Sequence, residues 1–173
     1  LGGFLNIVTQ TGALEAGIQS VVKKLKGNEL KIIPILMILF SIGGSTYGMA
    51  EETIPFYGLL SATMVAAGFD TFVAVGTVLL GAGSGVIGST VNPFSTGVAM
   101  DALRGIGIQP NTGIILIVGA ILWAASTSYS IFIVMRYAKK VKADKGSTIL
   151  SLQEQEDMEK TYGQAAPKEM PFT

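Results

Sequence analysis

Gly88-Ser89-Thr90-Val91-Asn92-Pro93 interrupts an apolar stretch, residues 71–100, that carries no charge at all. Proline has no N–H and clashes with the carbonyl four residues back, so a helix running unbroken through Pro93 loses a hydrogen bond. It also pushes Asn92 out of the α region. Asn92 then suits an N-cap and Pro93 the first position of a new half-helix. Upstream, Gly81, Gly83, Gly85 and Gly88 permit either close helix packing or unwinding. Such a break at bilayer depth is tolerated only where the freed backbone is buried in protein or lines a cavity. In transporters it marks the binding site.

A second stretch of the same kind lies upstream: Gly43-Gly44-Ser45-Thr46-Tyr47-Gly48, running into Met49-Ala50-Glu51-Glu52. The apolar run before it, residues 32–43, is about twelve residues and covers roughly 18 Å, against a hydrocarbon core of about 30 Å. The run after it, residues 53–67, is also short. Two ordinary but short spans would fit, but a re-entrant helical hairpin over 32–67 explains the lengths. Around this core the sequence reads as the end of a spanning helix at 1–11 and an amphipathic interfacial helix at 12–27. A broken transmembrane helix at 71–103 and a full span at 112–135 follow. Residues 1–145 thus form one transmembrane unit, and 146–173, with its acidic run at Gln153-Glu154-Gln155-Glu156-Asp157, read as a polar cytoplasmic linker or tail.

Composition agrees with a membrane protein and limits its chemistry. The chain has 173 residues, no histidine, no cysteine and zero formal net charge. Thiolate and imidazole nucleophiles, the usual zinc sites and disulfides are therefore excluded. A serine nucleophile at Ser84 or Ser89 would lack an activating base, so the expectation is that the chain is not an enzyme. Gly83-Ser84-Gly85-Val86-Ile87-Gly88 matches G-x-G-x-x-G, but it has neither a βαβ setting nor a correctly spaced acid, and the P-loop version lacks its lysine. The start, Leu1-Gly2-Gly3, reads as the middle of a longer protein.

Basic residues orient the chain. Lys23, Lys24, Lys26 and Lys31 flank one end of the first helical pair, and Arg136, Lys139, Lys140, Lys142 and Lys145 follow the last span. By the positive-inside rule, 23–31, 67–71 and 136–173 are expected in the cytoplasm and 104–111 outside, in a multi-pass protein of the cell membrane.

The two breaks supply hard oxygen ligands. Ser45, Thr46, Ser89 and Asn92 suit a small cation such as Na+, and the half-helix opening at Pro93 favours an anion. Thr90, Ser95 and Thr96 extend the candidate substrate-binding set. Glu51 and Glu52 have three readings: first-turn capping, pairing with a cation supplied from elsewhere, or contact with coupling ion or substrate. Ser126, Thr127, Ser128 and Ser130 in the last span are expected to bond neighbouring helices.

The motifs Gly44-Ser45-Thr46-Tyr47-Gly48-Met49-Ala50-Glu51-Glu52 and Gly88-Ser89-Thr90-Val91-Asn92-Pro93-Phe94-Ser95-Thr96-Gly97 resemble those of the YfcC/DcuC-type, C4-dicarboxylate anaerobic carrier family of the ion transporter superfamily. The resemblance implies an all-α integral membrane protein. This chain would supply one inverted repeat of it, with a re-entrant hairpin and a broken transmembrane helix. It implies a secondary active transporter for a small carboxylate-bearing solute, a C4-dicarboxylate or an amino acid, coupled to Na+ or H+ or working by exchange. Basic amino acid antiport is an alternative within it, and a passive channel lined by the breaks is an alternative to it. The hairpin tip and the unwound loop would jointly hold cation and substrate. Where the superfamily signature has Asn between Ser and Thr, this chain has Ser45-Thr46 directly. Expected partners are the lipid bilayer, the solute, the second repeat of the same protein and a second copy in a candidate homodimer. Nucleic acid is not expected, nor a cofactor beyond the coupling ion.

Overall fold

The computed structural model describes residues 28–162 together with Ser20 and Lys24. Apart from those two, the segments read as 1–11 and 12–27 lie outside the described residues. The described residues are all-helical. Helix α1 (Glu29–Tyr47) leads through a 3-10 turn (Glu51–Thr53) to α2 (Ile54–Ala66) and then α3 (Thr71–Ile87). A wide π turn (Pro93–Gly97) opens α4 (Val98–Gly105), and α5 (Thr112–Ala143), a 3-10 turn (Lys145–Ser147) and α6 (Leu152–Tyr162) follow. The Leu30–Tyr47 part of α1 and the whole of α5 are long and apolar enough to cross a membrane, while α3 is apolar but shorter.

Helix α3 is the centre of the bundle, with α1, α2 and α5 packed on it. Neighbouring pairs fix the directions. Gly81 meets Met37 and Gly85 meets Ser41, so α1 runs parallel to α3. Gly76 lies against Val134 and Gly88 against Trp123, so α5 runs antiparallel to it. Ile32, Ile33, Leu36, Met37 and Phe40 of α1 are buried, at the spacing of one helix face, and the Phe40 ring meets that of Phe56 on α2 at 5.5 Å between centroids. Lipid tails are as apolar as these side chains, so contact density rather than escape from water holds such helices together. Small residues supply that density at Gly44, Gly85, Gly88 and Gly119, each of which lies directly against the backbone of a neighbouring segment.

Helix α1 differs from the sequence expectation. It does not break at Gly43-Gly44 but continues through Ser45 and Thr46 to Tyr47. Gly43 packs against Met49 and Gly44 against Ala82, so both glycines serve close approach. Gly48, at φ 77° in the left-handed region, ends the helix, and the N–H groups of Gly48 and Met49 return to the carbonyls of Gly44 and Gly43 at 3.1 and 3.3 Å. At 19 residues, α1 measures about 28 Å. The first arm is therefore long enough to cross, whereas α2, with 13 residues, covers only about 20 Å.

The segment after α5 is polar and largely exposed over the described residues, but its start is tied to the bundle. Asp70, 2% exposed, caps α3 by accepting from the Val73 N–H at 3.0 Å. Its other carboxylate oxygen accepts from the Tyr137 and Thr148 hydroxyls, each at 2.5 Å. Tyr137 in turn accepts from the Ile149 N–H at 3.1 Å. Helix α6 then starts on a reciprocal cap: the Ser151 N–H and Oγ both donate to Glu154 Oε2, and the Glu154 N–H donates to Ser151 Oγ. Those hydrogen bonds hold the Glu154 carboxyl below the usual carboxylate range. The acidic run thus sits on a capped helix anchored through Thr148, and residues 163–173 lie outside the described residues. Asp70→Asn removes a charged acceptor shared by two hydroxyls, a loss of about 1.5–3 kcal/mol. Faster amide exchange over residues 145–162 is expected, with α1 unchanged. Unchanged exchange there would show that Asp70 does not anchor the segment.

Candidate binding site

The two interruptions meet. Ser45, in the last turn of α1, donates from Oγ to the Gly88 carbonyl at the end of α3, 2.8 Å away. Its hydroxyl also lies 3.1 Å from that of Thr90. The Thr90 N–H and Oγ1 both return to the Ser45 carbonyl, at 3.1 and 3.2 Å. Two helices that run parallel are thus tied at one level by four contacts, all between the serine-threonine motifs.

Asn92 closes the knot. It is 1% exposed, and its side chain faces both ways. Oδ1 accepts from the N–H groups of Phe94 and Ser95 at 2.9 and 3.3 Å, capping the π turn. Because both partners are donors, the amide orientation is fixed. Nδ2 then donates to the Gly44 carbonyl at 3.4 Å and to Ser89 Oγ at 3.2 Å. Gly48 is required here twice over: its φ is positive, and a Cβ would come within 2.8 Å of the Asn92 amide.

Around this knot Ser89 Oγ donates to the Val86 carbonyl at 2.6 Å and accepts from Ser95 Oγ at 2.9 Å. Thr96 Oγ1 donates to the Ser89 carbonyl at 3.3 Å. The structure therefore brings Ser45, Ser89, Thr90, Asn92, Ser95 and Thr96 into one hydrogen-bonded cluster. Among the described residues it does not bond Thr46, Glu51 or Glu52 to that cluster. Thr46 Oγ1 turns back to the Ile42 carbonyl at 2.7 Å, as threonine commonly does within a helix. Glu52 accepts from the Ala50 N–H at 3.2 Å at the start of the 3-10 turn, and Glu51 is exposed beside it. Both acids lie in that turn's first positions, where its dipole favours them.

The donor set at Pro93 is narrower than the sequence suggested. Pro93 has no N–H, and those of Phe94 and Ser95 are taken by Asn92 Oδ1. The Gly97 N–H is taken by the Asn92 carbonyl at 2.9 Å. Carbonyl and hydroxyl oxygens have two lone pairs; the Ser45 carbonyl uses both on Thr90, and Ser89 Oγ uses both on Asn92 and Ser95, so a hard cation could meet the Gly88 carbonyl and the hydroxyl oxygens of Ser45 and Thr90.

Below the knot, polar groups that sequence reading had not paired join α1, α3 and α5. Ser126 Oγ lies 2.9 Å from the Ser84 carbonyl and 2.7 Å from the Leu122 carbonyl of its own helix, sharing its proton between them, and the Ser84 and Thr127 hydroxyls lie 3.2 Å apart. Trp123 Nε1 donates to Ser41 Oγ at 3.1 Å. The only local signal for these was the serine-threonine content of α5. Their partners are more than forty residues away in the chain.

Interrupted helices that meet inside an apolar helical bundle are a feature of membrane transporters. The comparisons with known proteins give the family. The chain belongs to the DcuC family of C4-dicarboxylate anaerobic carriers, which matches residues 1–170. It is 39% identical over 145 residues to a protein of Haemophilus influenzae (strain ATCC 51907 / DSM 11121 / KW20 / Rd), covering 83% of this chain and 27% of that protein. It is 32% identical over 173 residues to the Escherichia coli (strain K12) protein named "Putative basic amino acid antiporter YfcC", covering 100% of this chain and 33% of that protein. The chain thus spans about a third or less of the length of these curated relatives. No solved structure matches it. The family is one of membrane carriers, and a membrane location and a transport role belong to it as a class.

Proposed function

We propose that this chain is one inverted repeat of a secondary active transporter. It would carry a small carboxylate-bearing solute across the cytoplasmic membrane, holding solute and coupling ion between the α1–α2 tip and residues 89–96. The observation that carries this reading is the tie between Ser45 and Gly88-Ser89-Thr90, two interrupted backbones held face to face. A cation entering there replaces the 3.1 Å hydroxyl contact of Ser45 and Thr90 with shared coordination. Na+ fits that oxygen set, and H+ or solute exchange would serve the same coupling. The Ser95 and Thr96 hydroxyls, on leaving their bonds to Ser89, would donate to a solute carboxylate near the positive end of the turn at Pro93. The name of the Escherichia coli relative favours an amino acid with a second cationic group. Glu51 and Glu52, exposed or half-exposed at the tip, would meet that group, and a C4-dicarboxylate is the solute they would disfavour.

Helix α5 serves as a ruler for the re-entrant reading. Gly88 touches Trp123 and Gly119 touches Ser89, so the tip lies level with those residues. From there α5 continues to Thr112, about 10–16 Å further at ~1.5 Å per residue. A tip that stops this far short supports a hairpin that enters and returns, with residues 28–31 and 67–71 on the cytoplasmic side.

The test is uptake by the whole protein in proteoliposomes. Ser45→Ala and Thr90→Val each remove one hydroxyl from the proposed ion shell while keeping shape. Each is expected to raise the ion concentration for half-maximal uptake about tenfold, the equivalent of one hydrogen bond to a charged group. Unchanged uptake and ion dependence in both variants would remove the site assignment.

A further inference from the structure

Helix α5 has 32 residues, about 48 Å at ~1.5 Å per residue, against a hydrocarbon layer of about 30 Å. Its last turns therefore stand among lipid headgroups or beyond them. At that level Arg136, Lys139 and Lys140 are exposed, and their i, i+3, i+4 spacing makes one ridge. Val134, Ala138 and Val141 of the same turns are buried against the bundle. The ridge consequently faces away from the described helices. The stripe continues toward the membrane interior as Phe132, 60% exposed, and Tyr129, 67% exposed.

Among the described residues, the carboxylates of Asp70 and Asp144 have partners other than this ridge. Asp70 is engaged by the Val73 N–H and by the hydroxyls of Tyr137 and Thr148. Asp144 is engaged by the Gly146 N–H and by Ser147 Oγ. Among the described residues Arg136, Lys139 and Lys140 make no ion pair. Lys142 stands apart, its Nζ 4.9 Å from the Phe69 ring centre. The helix dipole explains cations in the last turn, but its effect fades within that turn. Arg136 and Lys139 lie further back; the positive-inside rule accounts for their side of the membrane but not for their alignment in one ridge.

We propose that Arg136, Lys139 and Lys140 bind the headgroup phosphate of an anionic phospholipid, with Phe132 and Tyr129 against its acyl chains. The inference requires α5 to cross the membrane but is independent of the solute site. A lipid is favoured over a soluble anion because apolar side chains adjoin the cations directly on the exposed face. Each cation at a membrane surface is worth about a fivefold gain in affinity for anionic lipid, so three give roughly a hundredfold.

The experiment is native mass spectrometry of the whole, detergent-purified protein with added dioleoylphosphatidylglycerol or dioleoylphosphatidylcholine. Wild type is expected to retain phosphatidylglycerol at least about tenfold better. The triple variant R136Q/K139Q/K140Q is expected to bring the two lipids near parity, whereas R136K/K139R/K140R keeps the preference. If the triple variant does not fold, K139Q and K140Q singly should each lose about fivefold. An undiminished preference in the glutamine variants would overturn the proposal. So would glycerol 3-phosphate displacing the lipid at equal concentration, which would assign the ridge to a soluble anion.

Discussion

Gly85→Ala is expected to deplete folded protein from the membrane, although it adds only one methyl group. The new Cβ would overlap the Ser41 backbone, at its carbonyl and its Cα, so no side chain can rotate to make room. Relief requires α1 to move away from α3. That movement strains the Ser45 contacts with Gly88 and Thr90 one turn along. Overpacking of this kind costs about 1–3 kcal/mol, and more where backbone must shift, out of a typical total of about 5–15 kcal/mol. Gly83→Ala is the control, since nothing lies within 4 Å of its added Cβ. It should be neutral or stabilising, because alanine is worth up to about 1 kcal/mol over glycine inside a helix. Thermal midpoints in detergent, with the monodisperse fraction after extraction, compare the two. Equal behaviour would show that the α1–α3 seam is not packed through glycine.

The same pair shows what sequence could and could not reveal. Helix propensity treats Gly83 and Gly85 alike, and the separation between them exists only once α1 is laid beside α3. Gly43-Gly44 misled for the same reason. Two glycines followed by Ser-Thr look like a break, yet each is placed for contact with Met49 or Ala82, and the helix runs on to the left-handed Gly48. The interruption at residues 88–93 was legible because its causes are local: a missing N–H at Pro93 and a capping side chain at Asn92. An all-helical membrane class was legible from the apolar, uncharged runs, and the paired motifs pointed to the carrier family that the chain does belong to. Which site residues share hydrogen bonds was not legible. Thr46 stands next to Ser45, but one residue rotates a helix by about 100°, which separates the outward hydroxyl from the inward one. The anchoring of Thr148 on Asp70 spans 78 residues and leaves no local trace beyond a plausible N-cap. The cap at Ser151 and Glu154 did follow a readable pattern, hidden by the charge of the run that contains it.

Asn92 carries the largest expected functional effect, because one side chain joins both interruptions. Its Oδ1 opens the π turn and its Nδ2 reaches the α1 carbonyl of Gly44. Asn92→Ala deletes the cap, worth about 1 kcal/mol, and leaves the Gly44 carbonyl and the Phe94 N–H to find other partners, about 1–3 kcal/mol each where they stay buried. Stability and uptake should then fall together, uptake by about a hundredfold or more. Asn92→Asp separates the two roles. An aspartate still accepts from Phe94 and Ser95, so the turn is kept. It cannot donate to Gly44 or Ser89, and it places a carboxylate at a position only 1% exposed, beside the proposed ion. The folded fraction of Asn92→Asp should exceed that of Asn92→Ala, while its uptake stays as low and its dependence on ion concentration shifts. If Asn92→Asp transported at the wild-type rate, the amide would matter only as a cap. The contact between the two interruptions would then be packing rather than part of the transport cycle.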